Sequence, residues 1–123
     1  TLRTVPKTIE AALTEIGWEM EDVDSFVMHQ ANRYILNHLA KRMNIPDDKF
    51  PICMKNFGNT SAASIPITLT EMLSNDLTQS PQKLIMSGFG VGWSWGTVAL
   101  TCGPIIMSDL VTVTDTTQGM IKS

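Results

Sequence analysis

"FGNTSAASIP", residues 57–66, decides how this chain is read. Its small and polar residues separate two apolar segments, "FPICMK" before and "ITLTEML" after. Gly58 and Asn59 both tolerate positive φ, which is turn chemistry. Thr60 or Ser61 suits a helix cap, and Pro66 suits the first turn that follows, where a missing N–H breaks no intrahelical bond. The stretch therefore reads as a junction. A strand over "FPICMKNF" enters it, with Pro51 near the strand start. A helix leaves it with Ile65, Leu69, Met72 and Leu73 on its apolar face.

Upstream, "SFVM" is a short buried strand that stops at His29, so "MHQAN" (28–32) also ends an apolar run on polar groups. Residues 6–16 carry Ile9, Leu13 and Ile16 at helical spacing, with Pro6 in the first turn and Gly17 just past the end. "EMEDVD" is an acidic turn. Residues 32–43 form a second helix with Ile35, Leu36, Leu39 and Met43 inward. Lys41 and Arg42 occupy its last turn, where cations complement the helix dipole. "IPDD" is a turn and "SNDLTQSPQ" a loop. "KLIMSGF" and "WSWGTVALTC" are two further strands, joined through "GVG" as a hairpin. Trp93 and Trp95 share one face of the last strand.

The order α-β-α-β-α-β-β predicts an α/β fold with parallel neighbours and a closing antiparallel pair. It resembles the later part of a larger α/β domain. Residues 104–123 fit neither pattern well, and "LVTVT" is the one candidate strand among them.

Bulk properties narrow the function. The 123 residues are 43% hydrophobic and 17% charged, a folded composition with a net charge of −3. Nucleic-acid binding has no electrostatic footprint here. The best local basic patch is Lys41 and Arg42 with Arg33. Cys53 and Cys102 both lie in apolar runs, as reduced thiols of a cytoplasmic protein do. Their spacing gives no zinc motif. No run is long enough to span a bilayer, and the first residue is Thr1 rather than Met.

In open α/β sheets ligands bind beyond the carboxyl ends of the strands. Three polar clusters fall there: His29 with Gln30 and Asn32, Gly58 with Asn59, and Gly88 to Gly92. An Asn side chain and a neutral His can each donate an N–H. Two such donors aimed at one point would stabilise charge developing on a carbonyl oxygen. Each cluster taken alone also has a structural explanation. Asn59 is turn chemistry, Ser61 and Ser64 are cap and packing residues, and His38 in mid-helix carries no role. "GFGVG" joins strand to strand, with no helix N-terminus and no following Lys, so it is no phosphate loop.

"HQAN" (29–32), "GNTSAASIP" (58–66) and "GFGVGWSWG" (88–96) together resemble β-ketoacyl-acyl carrier protein synthase III, a thiolase-fold condensing enzyme. The likeness covers roughly residues 5–102 and concerns the C-terminal part of that family's chain. It implies a C-terminal domain over residues 1–103 and an unassigned extension over 104–123. It implies decarboxylative condensation of an acyl-CoA starter with malonyl-acyl carrier protein, with no cofactor and no metal. His29 and Asn59 match the His and Asn of the family's Cys-His-Asn triad, which hold the malonyl thioester oxygen. Phe89 matches an aromatic residue beside the nucleophile, and Val91 a backbone N–H donor of the acyl-enzyme. Asn32 falls in the substrate-binding motif.

The resemblance also implies that the acylated Cys lies in an N-terminal half absent from this chain, and that the complete protein is a homodimer. Neither Cys53 nor Cys102 occupies the nucleophile motif. Where the family commonly carries a basic residue for carrier-protein docking, this chain has Tyr34. Its Arg33 stands one residue earlier, about 100° around the helix. The competing reading is a divergent, non-condensing acyltransferase or a non-catalytic partner subunit, with the isolated chain inactive.

Overall fold

The computed structural model describes residues 1–114. The helix α1 (Thr4–Ile16) ends at Gly17, whose φ of 77° lets its N–H turn back to the Leu13 and Thr14 carbonyls. A 3₁₀ turn (Met20–Asp22) leads into the strand β1 (Ser25–Met28), which stops before His29 as the sequence predicts. The helix α2 (Arg33–Arg42) is capped by Asn32, whose Oδ1 accepts from the Ile35 N–H at 2.9 Å. The strands β2 (Gln82–Gly90) and β3 (Ser94–Cys102) close the described chain as a hairpin.

The sheet order is β1-β2-β3. β1 runs parallel to β2, with Phe26 opposite Ile85 and Met28 opposite Ser87. β2 and β3 are antiparallel, with Ile85 opposite Ala99 and Phe89 opposite Trp95. The expected α/β arrangement, with parallel neighbours and a closing hairpin, is what the chain adopts.

Alternation along β1 splits the interior into two clusters. Phe26 and Met28 join Ile85 with Val5, Ile9 and Leu13 of α1 and Leu36 and Leu39 of α2. Val27 joins Leu84, Leu73 and Leu77 in a smaller cluster. The first contains most of the large buried side chains.

Several expected elements differ. "FPICMKNF" is not a strand: residues 51–53 are irregular and Met54–Phe57 form a one-turn helix, α3. The Cys53 N–H donates to Oε1 of Gln30 at 2.8 Å instead of to a neighbouring strand, and Pro51 has no N–H to offer. "SNDLTQSPQ" is not all loop. It contains the short helix α5 (Ser74–Gln79), because burying Leu77 outweighs the weak helix preference of Ser, Asn and Asp. Trp93 is not in a strand: its φ of 57° places it in the hairpin turn, so it does not share a strand face with Trp95. Residues 110–114 of "LVTVT" have no regular structure, and 115–123 of the tail lie outside the described residues.

The helix after the junction is α4 (Ser64–Met72), preceded by a 3₁₀ turn over Ser61–Ala63. Neither Thr60 nor Ser61 caps it through a side chain. Its buried residues are Ser64 and Thr68, one turn apart, while Ile65 and Leu69 are half-buried and Met72 is 46% exposed. Small hydroxyl side chains at that spacing let α4 approach β1 closely. Thr68 is satisfied locally, its Oγ1 donating to the Ser64 carbonyl at 2.8 Å.

Candidate active site

The carboxyl ends of β1 and β2 and the 59–65 junction enclose a cleft of about 640 Å³. His29, Asn59, Phe89 and Val91 line it, together with Ser61, Ser64 and Gly88. Four of the five residues singled out in the sequence therefore meet at one place. Asn32 is not among the lining residues; its side chain caps α2.

His29 is set by the strand that precedes it. Its N–H donates to the Ser87 carbonyl at 2.8 Å, extending the parallel ladder one step. Its ring stands edge-on to Phe89, with centroids 5.3 Å apart and planes at 84°. Nδ1 lies 2.8 Å from Oγ of Ser64, the first residue of α4. Among the described residues Nε2 has no hydrogen-bond partner. The buried side-chain polar atom left unpartnered there is instead Oγ1 of Thr60. The Nε2 edge of His29 is therefore open at the cleft.

Asn59 is oriented by a turn. Gly58 adopts φ 63° and ψ −148°, a region essentially confined to glycine, and swings Asn59 toward the end of β1. Oδ1 of Asn59 accepts from the Ser61 N–H at 3.0 Å, and Nδ2 donates to the Ala31 carbonyl at 3.3 Å. An amide nitrogen carries two protons, so one remains for a ligand. No hydrogen bond joins His29 to Asn59 among the described residues. Each is positioned separately, and both front one cleft.

Val91 sits fully exposed in the hairpin loop after Phe89 and lines the cleft. Gln30 turns away from the cleft. It is buried, its Nε2 donating to the Met28 carbonyl at 2.9 Å and its Oε1 receiving the Cys53 N–H. Sequence reasoning placed it with the site, whereas its side chain fastens the chain after β1 to Cys53. Ser64 was read as a packing residue, yet it is the partner of His29. No local signal marked it, because the bond joins residues 35 positions apart.

The cysteines lie apart from the cleft. Both are free thiols, Cys53 buried and Cys102 half-buried. Burial, and to a lesser degree the Glu71 carboxylate, push the Cys53 thiol above its ordinary value, which opposes a nucleophilic role. The described residues contain no cluster of three or more potential metal ligands. They contain no helix long and apolar enough to cross a membrane. Arg33 and Tyr34, the latter 71% exposed, open the outer face of α2.

A parallel pair closed by a hairpin, with a His and an Asn fronting a cleft at the strand ends, is part of the C-terminal half of a thiolase-type fold. The family model for the C-terminal region of 3-oxoacyl-[acyl-carrier-protein (ACP)] synthase III matches residues 13–102, and the chain belongs to that family. It is similar to the beta-ketoacyl-[acyl-carrier-protein] synthase III of Streptococcus gordonii, with 42% identity over 102 residues, covering 81% of this chain and 32% of the relative. Among solved structures it is similar to a 3-oxoacyl-(acyl-carrier protein) synthase from Burkholderia xenovorans, with a TM-score of 0.85, 41% identity and coverage of 89% of this chain and 31% of the other. It is also similar to the 3-oxoacyl-[acyl-carrier-protein] synthase III of Aquifex aeolicus, at 36% identity and a TM-score of 0.76, over 81% and 32% of the two chains. The chain thus spans about a third of the length of the relatives it matches.

Proposed function

We propose that the complete protein is a cytoplasmic acyltransferase that condenses an acyl group from acyl-CoA with malonyl-acyl carrier protein, and that residues 1–103 are its C-terminal domain. The extension over 104–123 has no assigned part in the reaction. In this reading His29 and Asn59 each donate an N–H to the thioester oxygen of the malonyl group. The bond from its α-carbon to the carboxylate breaks, CO₂ departs, and the electron pair moves into an enolate whose oxygen the two donors stabilise. The enolate carbon attacks the acyl thioester held on a cysteine. The C–S bond breaks and the thiolate leaves, giving the 3-oxoacyl-carrier protein. Phe89 packs beside the reacting centre, and the Val91 backbone N–H faces the acyl oxygen.

One observation carries this: two side chains with spare N–H capacity, fixed by different elements, front a single cleft at the strand ends. Neither needs to change protonation state for the task. The acylated cysteine belongs outside this chain, since neither Cys53 nor Cys102 lines the cleft. The 123-residue chain alone is therefore inactive in this reading, and the complete enzyme is a homodimer.

The test uses the complete enzyme carrying His29→Ala or Asn59→Ala. Each variant should retain transfer of the acyl group to the cysteine. Malonyl decarboxylation should fall by about 10²–10³-fold, the usual loss for one oxyanion donor. Condensation at the unaltered rate in both variants would overturn the assignment.

A further inference from the structure

We propose that Ser64 is a positioning residue for His29: its hydroxyl donates to Nδ1, which holds the ring proton on Nε2, the nitrogen left open at the cleft. Only 3% of Ser64 is exposed, and its Oγ has two neighbours. One is Nδ1 of His29 at 2.8 Å, and the other is the Gln30 N–H at 3.2 Å. A backbone N–H can only donate, so Oγ accepts from Gln30. The single hydroxyl proton must then find an acceptor. Among the described residues, Nδ1 is the remaining polar atom bonded to Oγ. Were Nδ1 protonated, it too would donate to Oγ, and a buried hydroxyl proton would be left without a partner. The backbone of Gln30 thus orients the hydroxyl, and the hydroxyl selects the tautomer.

The ring has little freedom to escape this arrangement. Its backbone is tied to Ser87, and Phe89 meets it edge-on. Ser64 itself is locked in the first turn of α4, whose carbonyl takes the Thr68 hydroxyl. The consequence for chemistry rests on the reading of His29 as an oxyanion donor: the free nitrogen then presents an N–H without any proton transfer. The tautomer assignment stands independently of that reading.

The chain has two histidines, His29 and His38, so imidazole ¹⁵N spectra of the 123-residue protein resolve the question directly. At about pH 9, well above the ordinary imidazole pKa of ~6.5, Nδ1 of His29 should be the unprotonated nitrogen and Nε2 the protonated one. In Ser64→Ala the Nδ1 signal should move downfield, as an acceptor does on losing its donor, with His38 unchanged. Ser64→Thr, which keeps the hydroxyl, should restore it. A proton on Nδ1 in the unaltered chain overturns the proposal, and so does an unchanged His29 spectrum in folded Ser64→Ala. If Ser64→Ala does not fold, the unaltered chain decides alone. Failure of the oxyanion reading would appear differently, as intact condensation in the His29→Ala enzyme while the unaltered chain shows the His29 tautomer assigned.

Discussion

The two sides of the sheet are built by different means. Against β2 and β3, α1 lays down Val5, Ile9 and Leu13, and these meet Phe26, Met28 and Ile85 in a cluster of large apolar side chains. Against β1, α4 buries Ser64 and Thr68, with the half-buried Ile65 and Leu69 packed on the Val27 cluster. The first side is held by buried area, each large side chain contributing about 1.5–3 kcal/mol. The second is held by directed bonds around His29 and Gln30, with a smaller apolar cluster behind. A polar site needs fixed orientation more than area. Hydroxyl groups supply it, at the cost of the larger side chains that would fill the same space.

If that contrast is real, truncation on the apolar side should have the largest effect. Phe26 is 1% exposed at the centre of the larger cluster. Phe26→Ala should lower the unfolding free energy by about 3–5 kcal/mol, measured by urea titration. A single domain has only about 5–15 kcal/mol in total, so the variant would be close to unfolding. A loss of under about 1 kcal/mol would mean that area does not dominate there.

Gln30→Leu tests the polar end. It keeps roughly the same volume and removes both bonds, leaving the Cys53 N–H and the Met28 carbonyl without their side-chain partner. The expected loss is about 2 kcal/mol, within the ~1–3 range for an unsatisfied buried group. Limited proteolysis of the variant should cut within residues 50–57 before any other segment. A Leu variant as stable as the parent would show that burial alone fastens this segment.

The contrast also explains what could be read from the chain beforehand. α1 and α2 announce themselves by helical period and α1 also by Gly17, while β1 shows as a short apolar run buried on both faces and the hairpin by the glycines between two strand-forming runs. "FPICMKNF" has the residue types of a strand, but its fate depends on Gln30, more than twenty positions away, and local pattern carries no trace of that. For α4 the hydrophobic period pointed to Ile65, Leu69, Met72 and Leu73; Leu73 is buried with Ile65 and Leu69 packed beside it, but Met72 is exposed and the buried residues within the helix are Ser64 and Thr68. His29 was legible at the cleft from its place at the end of β1, whereas the strand expected to deliver Asn59 is the helix α3, and Asn59 reaches the cleft through the turn at Gly58. Ser64 was not legible as the partner of His29, because the bond spans 35 residues and forms only once α4 docks.

Thr60 should show the smallest effect, with the opposite sign. Its Oγ1 is buried and unpartnered among the described residues, at the polar end where the neighbouring hydroxyls are paired. A buried hydroxyl without a partner carries a desolvation penalty and returns nothing. Thr60→Val keeps the branched shape and removes that oxygen, so stability should rise by up to about 1 kcal/mol, read as a small increase in Tm. Ser64→Ala removes a hydroxyl from the same end and should instead destabilise, because two groups lose their partner. Opposite signs for two hydroxyl deletions on one junction would show that bonding, rather than polarity itself, holds this side of the fold. A destabilised Thr60→Val would reveal a partner for Oγ1 and make the polar end more fully satisfied than its contacts indicate.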